Sequence, residues 1–355
     1  MSLGEFDLIQ RYFKQAAKNS AEANKNTDSG IEIGIGDDCA ILDIPDGYQL
    51  AVTTDSLVAG VHFFEDVCPY RLGYKSLAVN LSDLAAMGAN PKWVSLAITL
   101  PNVDEHWLSE FSRGFFELAN RYNVSLIGGD TTKGPLSITV SAKGIVPRHQ
   151  ALLRSGAQQG DLICVSSALG DGALGLATKL DHLSLTNKSL KNFPLLNSQA
   201  FVDALELTEP RIELGLLLSG KASSCMDISD GLLQDLGHIT ASSGCSAKLN
   251  VEQLPLSVAM KKEIAAQTIS LDQAYQYALT GGDDYELLFT ISAQSFKQLN
   301  EHIAQQNNGL TNSLAITVIG EIVEKNTQDI QLTLHNQPLH NQSLLMQGIG
   351  WDHFK

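Results

Sequence analysis

Five short segments of the chain end an apolar run in Gly or Thr followed by Asp. They are Gly34-Ile35-Gly36-Asp37-Asp38, Thr53-Thr54-Asp55, Gly128-Gly129-Asp130, Met226-Asp227-Ile228-Ser229-Asp230 and Gly281-Gly282-Asp283-Asp284. A sixth acid, Asp83, sits in the apolar stretch Asn80-Leu81-Ser82-Asp83-Leu84. Carboxylates at strand ends meet at one edge of a domain, where a ligand can sit. Glycine beside them lets backbone N–H groups approach phosphate oxygens. Several carboxylates sharing one cleft repel one another unless divalent cations neutralise them. Mg²⁺ suits that role, because it takes a few carboxylates, keeps waters and completes its shell with phosphate oxygens. The chemistry this pattern could do is metal-assisted binding of ATP and transfer of a phosphoryl group. Taken singly, each segment reads as well as an Asp capping a turn or a helix, and Ser229-Asp230-Gly231 has that form most plainly.

The rest of the composition narrows the setting. The chain has 355 residues, which suggests about two domains. Apolar residues make up 44% and charged residues 18%, the balance of a globular protein. No apolar run approaches the ~18–20 residues of a membrane span, and the first residues lack the form of a secretory signal. The five cysteines contain no CxxC pair, which argues against a disulfide framework or a zinc site. A cytoplasmic protein is expected. A net charge of −15 disfavours nucleic acid as a partner. An acidic protein still binds a polyphosphate when cations stand between. No GxxxxGK[ST] and no kinase HRD…DFG set is present. Gly170-Asp171-Gly172-Ala173-Leu174-Gly175 matches GxGxxG but has no convincing acid about 20 residues on, so tight packing explains it better.

These residues must be positioned by elements. Phe6, Ile9, Phe13 and Ala16 recur at helical spacing. Strands are expected at Ala40–Ile44, Gln49–Thr53, Val94–Leu100, Ser125–Ile127 and Leu136–Val146, with helices at Arg71–Met87 and Glu105–Tyr122. That half reads as an α+β domain. A boundary near Pro147 divides it, residues 1–147, from residues 148–355. The second part alternates strand Leu162–Ser166, helix Gly172–Leu180, a polar loop near 184–199 and helix Pro210–Leu218. Strand Ser224–Asp227 and helices at Gly231–Ser242, Val258–Ala266 and Leu271–Leu279 come next. Strand Tyr285–Ile291, helix Ser295–Gln305 and two late strands complete an α/β domain.

At these motifs the chain resembles the thiamine-monophosphate kinases, within a superfamily that also holds aminoimidazole ribonucleotide synthetase and selenophosphate synthetase. The likeness runs through GEFDLIQRYF, GIGDDCAIL, TTDSLVAGVHF, LAVNLSDLAAMGANP, LIGGDTTKGPL, MDISDGLLQDLGHI, LTGGDDYELLFT and GWDHF. Asp283 stands where the pattern often carries Glu. The resemblance implies an aminoimidazole ribonucleotide synthetase-like two-domain fold, dimerisation through the sheet of the N-terminal domain, and ATP in the cleft between the domains. It implies transfer from ATP to thiamine monophosphate, giving thiamine diphosphate, the last step of that cofactor's biosynthesis. The implied transfer is in-line with no phosphoenzyme and no catalytic side chain, which suits a phosphate monoester acceptor that is already nucleophilic and metals that neutralise charge.

Carried over residue by residue, Asp38, Thr53, Thr54, Asp55, Asp83, Asp130, Asp227 and Asp230 would hold several Mg²⁺ ions. Gly129, Asp130, Arg154 and Ser229 would meet ATP, and His62, Asp283 and Trp351 the thiamine phosphate, whose cationic ring suits an aromatic face. A need for a monovalent cation such as K⁺ stays open. On their residues alone, His62 reads equally as a core imidazole and Trp351 as a terminal anchor. The competing functions are a relative spending ATP on another small molecule, such as an amidine cyclo-ligase or a selenide-phosphorylating enzyme, and a Mg²⁺-nucleotide sensor without turnover. The second enzyme usually uses a Cys near the N-terminus, and none precedes Cys39.

Overall fold

The computed structural model describes residues 5–14, 30–183, 195–306, 315–335 and 337–339. The chain divides into two compact units, Met1–Leu84 with Gly88–Ala151, and Ala85–Met87 with Leu152–Lys355.

The first unit opens with helix α1 (Glu5–Leu8), which widens into a π-helical turn over Ile9–Lys14. Ala16, the last residue of the expected stripe, lies outside the described residues. A small hairpin follows, β1 (Ile31–Ile33) and β2 (Ile41–Leu42). The main sheet contains β3 (Tyr48–Val58), β4 (Asn90–Leu100), β5 (Ser125–Lys133) and β6 (Ser137–Pro147) in the order β3-β6-β4-β5. Helices α2 (Pro69–Ala86) and α3 (Glu105–Arg121) connect these strands.

Asp104 caps α3 by accepting the N–H groups of His106 and Trp107 at 2.9 and 3.0 Å. Leu77, Leu81 and Leu84 of α2 are wholly buried, as are Phe111 and Phe115 of α3. Along β3, burial alternates. Thr53, Asp55 and Leu57 turn inward, whereas Tyr48, Leu50, Val52 and Thr54 are exposed. The hairpin is seated on a cluster of Trp93, Ile127 and Ile145, against which Ile31, Leu42 and Ile44 pack.

The expected element types hold, but two boundaries change what they position. β3 runs through Val58 rather than stopping at Thr53, because β6 pairs with it along its whole length, with Asp55 opposite Val140. β5 likewise continues to Lys133 alongside β4. Asp55 and Asp130 therefore lie inside strands and not at strand ends.

The second unit is a seven-stranded sheet with helices. Its elements are β7 (Leu162–Ser166), α4 (Asp171–Leu183), α5 (Ser198–Glu206), α6 (Ile212–Leu218), β8 (Ser224–Asp227), α7 (Leu232–Ser243) and β9 (Ser246–Asn250). After these come α8 (Val258–Ala265), α9 (Leu271–Thr280), β10 (Leu287–Ile291), α10 (Ala293–Gln306), β11 (Ile316–Val323), β12 (Ile330–Leu334) and β13 (Gln337–Pro338).

The strand order is β13-β12-β9-β11-β7-β10-β8, with β12 and β9 the parallel pair and the other neighbours antiparallel. Its core includes Ile163, Val165, Leu174, Phe201, Leu236, Ile239, Ala247 and Leu288. α5 and β9 were not foreseen. Ser246-Ala247-Lys248-Leu249-Asn250 has little strand preference by composition, and becomes a strand because β11 and β12 flank it. The glycines of the GxGxxG match serve packing. A Cβ on Gly175 would lie 2.2 Å from the Phe201 carbonyl oxygen, so α4 and α5 touch backbone to backbone.

Candidate phosphoryl-transfer site

In the first unit the fold brings three of the sequence-derived residues together. Asp83, on the last turns of α2, accepts a hydrogen bond from the Thr53 hydroxyl and stands beside Asp55. Burial and the neighbouring Asp83 carboxyl push the Asp55 carboxyl up to about 7. Two carboxyls this close share a proton or need a cation, and all their donor atoms are oxygens. That chemistry fits Mg²⁺, which takes only one or two carboxylates and fills its remaining positions with water and phosphate. No third acid, His or Cys joins them, for among the described residues no group of three such side chains converges.

The remaining first-unit candidates are placed elsewhere. Asp38 is exposed in the loop between β1 and β2, its N–H donating to Asp37. Asp130 is exposed on β5, the strand at the opposite edge from β3. The ladder puts Asp55 in a row with Val140, Leu96 and Gly129, and Asp130 in the next row with Ala97, Thr139 and Ser56. Adjacent rows face opposite sides of a sheet. Asp55 and Asp130 are thus turned apart and separated by three strand spacings, about 14 Å. One ion cannot bridge them. The expectation of a single gathering of carboxylates gives way to separate positions, with Thr53, Asp55 and Asp83 on one face and Thr54 and Asp130 on the other.

Gly129 passes too close to the Leu96 carbonyl for any side chain, 1.8 Å from a built Cβ. His62 accepts the Val58 N–H on Nδ1 at 3.0 Å, and its own N–H returns to the Val58 carbonyl. It closes the turn after β3, half-buried, which puts the ring proton on Nε2.

In the second unit Asp227 ends β8 as expected, and it is buried. Asp230 does not cap α7. The N-cap is Gly231, which has no side-chain bond, and Asp230 instead accepts from Gln234. The loop's N–H groups go to Asp235, whose one carboxylate oxygen accepts from Ser229, Asp230 and Gly231 at 3.1, 3.3 and 3.2 Å. Burial and the nearby Asp230 raise the Asp235 carboxyl to about 7, against those three bonds.

Asp283 has φ +66°, and its N–H donates to the Ser229 carbonyl, so the loop after α9 and the loop after β8 are tied together. Beside it, half-buried Asp284 accepts the N–H of Gly170 at 2.8 and 3.0 Å and of Gly172 at 3.4 Å, holding the start of α4. Desolvation pushes its carboxyl well upward. Glu286 pairs with Arg211 and Ser166. Sequence reasoning missed Asp235 as a loop anchor, although an acid in the first turn after Asp-Gly was a readable signal.

Arg154 is exposed, in the segment that runs antiparallel to β8: the Leu153 carbonyl accepts the Cys225 N–H, and Gly156 lies against the Ser223 carbonyl. It thus borders the start of β8, with Asp227 and Ser229 at the other end. Trp351 lies outside the described residues.

Both units match models of AIR synthase related proteins, the N-terminal domain over residues 36–146 and the C-terminal domain over 158–333. That defines the class, two domains of one fold family in series. Among curated relatives, the thiamine-monophosphate kinase of Haemophilus influenzae is 46% identical over 92% of this chain and 91% of its own. The crystal structure of the thiamine-monophosphate kinase from Stenotrophomonas maltophilia superposes with a TM-score of 0.78 at 40% identity, covering 96% of this chain and 99% of that one. A solved complex of AaThiL with AMPPCP and TMP gives a TM-score of 0.70 at 28% identity, covering 100% and 99%. The chain belongs to the thiamine-monophosphate kinase family.

Proposed function

We propose that the protein transfers the terminal phosphoryl group of ATP to the phosphate of thiamine monophosphate, giving ADP and thiamine diphosphate. The observation that carries this reading is the likeness to thiamine-monophosphate kinases along nearly the whole chain, through both domains. A relative solved with AMPPCP and TMP supports ATP as donor and a thiamine phosphate as acceptor.

The cations of this reading are several Mg²⁺ ions, for which Asp38, Asp55, Asp83 and Asp130 of the first domain, assisted by Thr53 and Thr54, and Asp227 and Asp230 of the second domain would each supply ligand oxygens. When bound they would neutralise phosphate charge and align the two phosphates. Gly129 leaves its backbone bare for a close approach, and Arg154 and Ser229 take ATP. His62, Asp283 and Trp351 take the acceptor, Asp283 offering a carboxylate to its cationic ring. No side chain needs to remove a proton, because the acceptor oxygen is already anionic. The work of the chain is to orient the groups and hold charge.

A homodimer formed through the first-domain sheet is part of the same reading, supported by exposed Tyr48, Leu50 and Val52 on β3 (38, 44 and 58%). Among the described residues no helix is long and apolar enough to cross a membrane, and a cytoplasmic location is proposed. The test is ADP release with Mg²⁺ and a panel of phosphorylated acceptors, with the product identified by its pair of coupled phosphorus resonances. Thiamine monophosphate should be preferred and EDTA should stop turnover. Equal ADP release without an acceptor, or preference for a nucleotide or amidine substrate, would refute it.

A further inference from the structure

Ser243 is the last residue of α7, and the chain turns away after it at Gly244, whose φ of +67° is left-handed. Its hydroxyl points back to a segment nearly ninety residues earlier. It accepts the N–H of Gly156 and of Ala157, both at 3.1 Å, and donates a longer bond of 3.4 Å to the Arg154 carbonyl. A serine hydroxyl has one proton and two lone pairs, so this one is used in full on a single loop. Cys225 of β8 fixes the loop at its other end, through the Leu153 carbonyl at 2.8 Å. Gly156, at φ +115°, presses on the Ser223 carbonyl, where a Cβ would stand 2.5 Å from the oxygen. The backbone on both sides of Arg154 is therefore pinned, while its side chain is exposed.

We infer that Ser243 is a positioning residue for the ATP-binding Arg154. The inference rests on the proposed role of Arg154. A guanidinium at the end of a long flexible side chain recognises phosphate only when its planar fork is aimed, and the aim begins with the backbone that carries it. Without Ser243 the N–H groups of Gly156 and Ala157 lose their side-chain partner, and the backbone between the Leu153 hydrogen bond and buried Ala157 is held less closely. The loss appears in ATP binding, because nothing that Ser243 touches belongs to the acceptor residues.

The experiment compares Ser243→Ala, Ser243→Thr, Arg154→Ala and the Ser243→Ala/Arg154→Ala double variant in steady-state assays, with melting temperatures alongside. Ser243→Ala should raise the KM for ATP roughly tenfold, the scale of one or two lost hydrogen bonds, and leave the KM for thiamine monophosphate unchanged. Ser243→Thr, which keeps the hydroxyl, should restore it. In the Arg154→Ala background, removing Ser243 should add nothing further. If Arg154→Ala raises the KM for ATP and Ser243→Ala only lowers the melting temperature, the positioning role is wrong while the role of Arg154 stands. If Arg154→Ala itself leaves ATP use intact, the role of Arg154 falls and the inference falls with it.

Discussion

Asp55 and Asp83 stand together inside the first unit, and their proximity has a measurable sign. The Asp55 carboxyl ionises near 3.8 in an unfolded chain and near 7 in the metal-free fold. Between those values the folded protein holds a proton that the unfolded chain has released. The stability contributed by this group is thus present at low pH and is lost as pH rises from about 4 to about 7. Asp235 and Asp171, raised to about 7 and about 6, act in the same direction, so the comparison must be with a variant. Asp55→Asn should raise the melting temperature of the metal-free protein above pH 7 and flatten its fall with pH, while turnover drops roughly a hundredfold or more. Mg²⁺ should stabilise the parent at pH 8 and do so much less in the variant. A variant that melts lower than its parent at pH 8 without metal would show that the pair is not repulsive. The sequence named both acids. It did not reveal that they touch, because β3 and α2 meet only through the packing of the sheet.

At the scale of elements, the second unit is set by how closely its helices approach. α4 and α5 meet at Gly175 and Phe201, backbone against backbone. Gly175→Ala should cost roughly 1–3 kcal/mol, since neither helix can retreat without opening the core. Gly237, inside α7, has open space where a Cβ would go and no left-handed φ. Gly237→Ala should instead stabilise the protein by about 0.5–1 kcal/mol, through the lower helix propensity of glycine. Chemical denaturation of the two variants reads both signs, and equal effects would contradict the close packing of α4 on α5. Gly-x-Gly spacing announced that some close approach occurs in this region. Which helix arrives there is not legible, because α5 follows the polar stretch near 184–199 and no element is expected between that stretch and Pro210.

At the scale of the molecule, the proposed dimer places β3 at an interface. Val52 pairs with Lys143 across the ladder and is 58% exposed. Lys143 is half-buried, donates to Ser95 and to the Ser141 carbonyl, and has its pKa lowered by desolvation. A second lysine beside it, in Val52→Lys, adds like charge to a face that already holds one poorly solvated cation. Sedimentation should show the variant shifted toward monomer at micromolar concentration, with its secondary structure unchanged. An unshifted dimer would move the interface off this face.

Sequence by itself determined which residue types carry the chemistry, where most strands and helices run, and that ATP-dependent phosphoryl transfer was the reading to test. Those features are local: an alternation of two marks a strand face, a spacing of three and four marks a helix face, and Asp next to Gly marks a turn able to meet phosphate. The tertiary structure decided how the acids are used. Pairing along the whole of β3 and β5 moved Asp55 and Asp130 from strand ends to strand interiors, and turned them to opposite faces of one sheet. Asp284, in the same Gly-Gly-Asp-Asp motif as Asp283, is spent on the N–H groups that begin α4. Ser243 reaches a loop far from it in the chain. These are contacts between segments distant in sequence, and spacing along a chain carries no record of which distant segment will supply the partner.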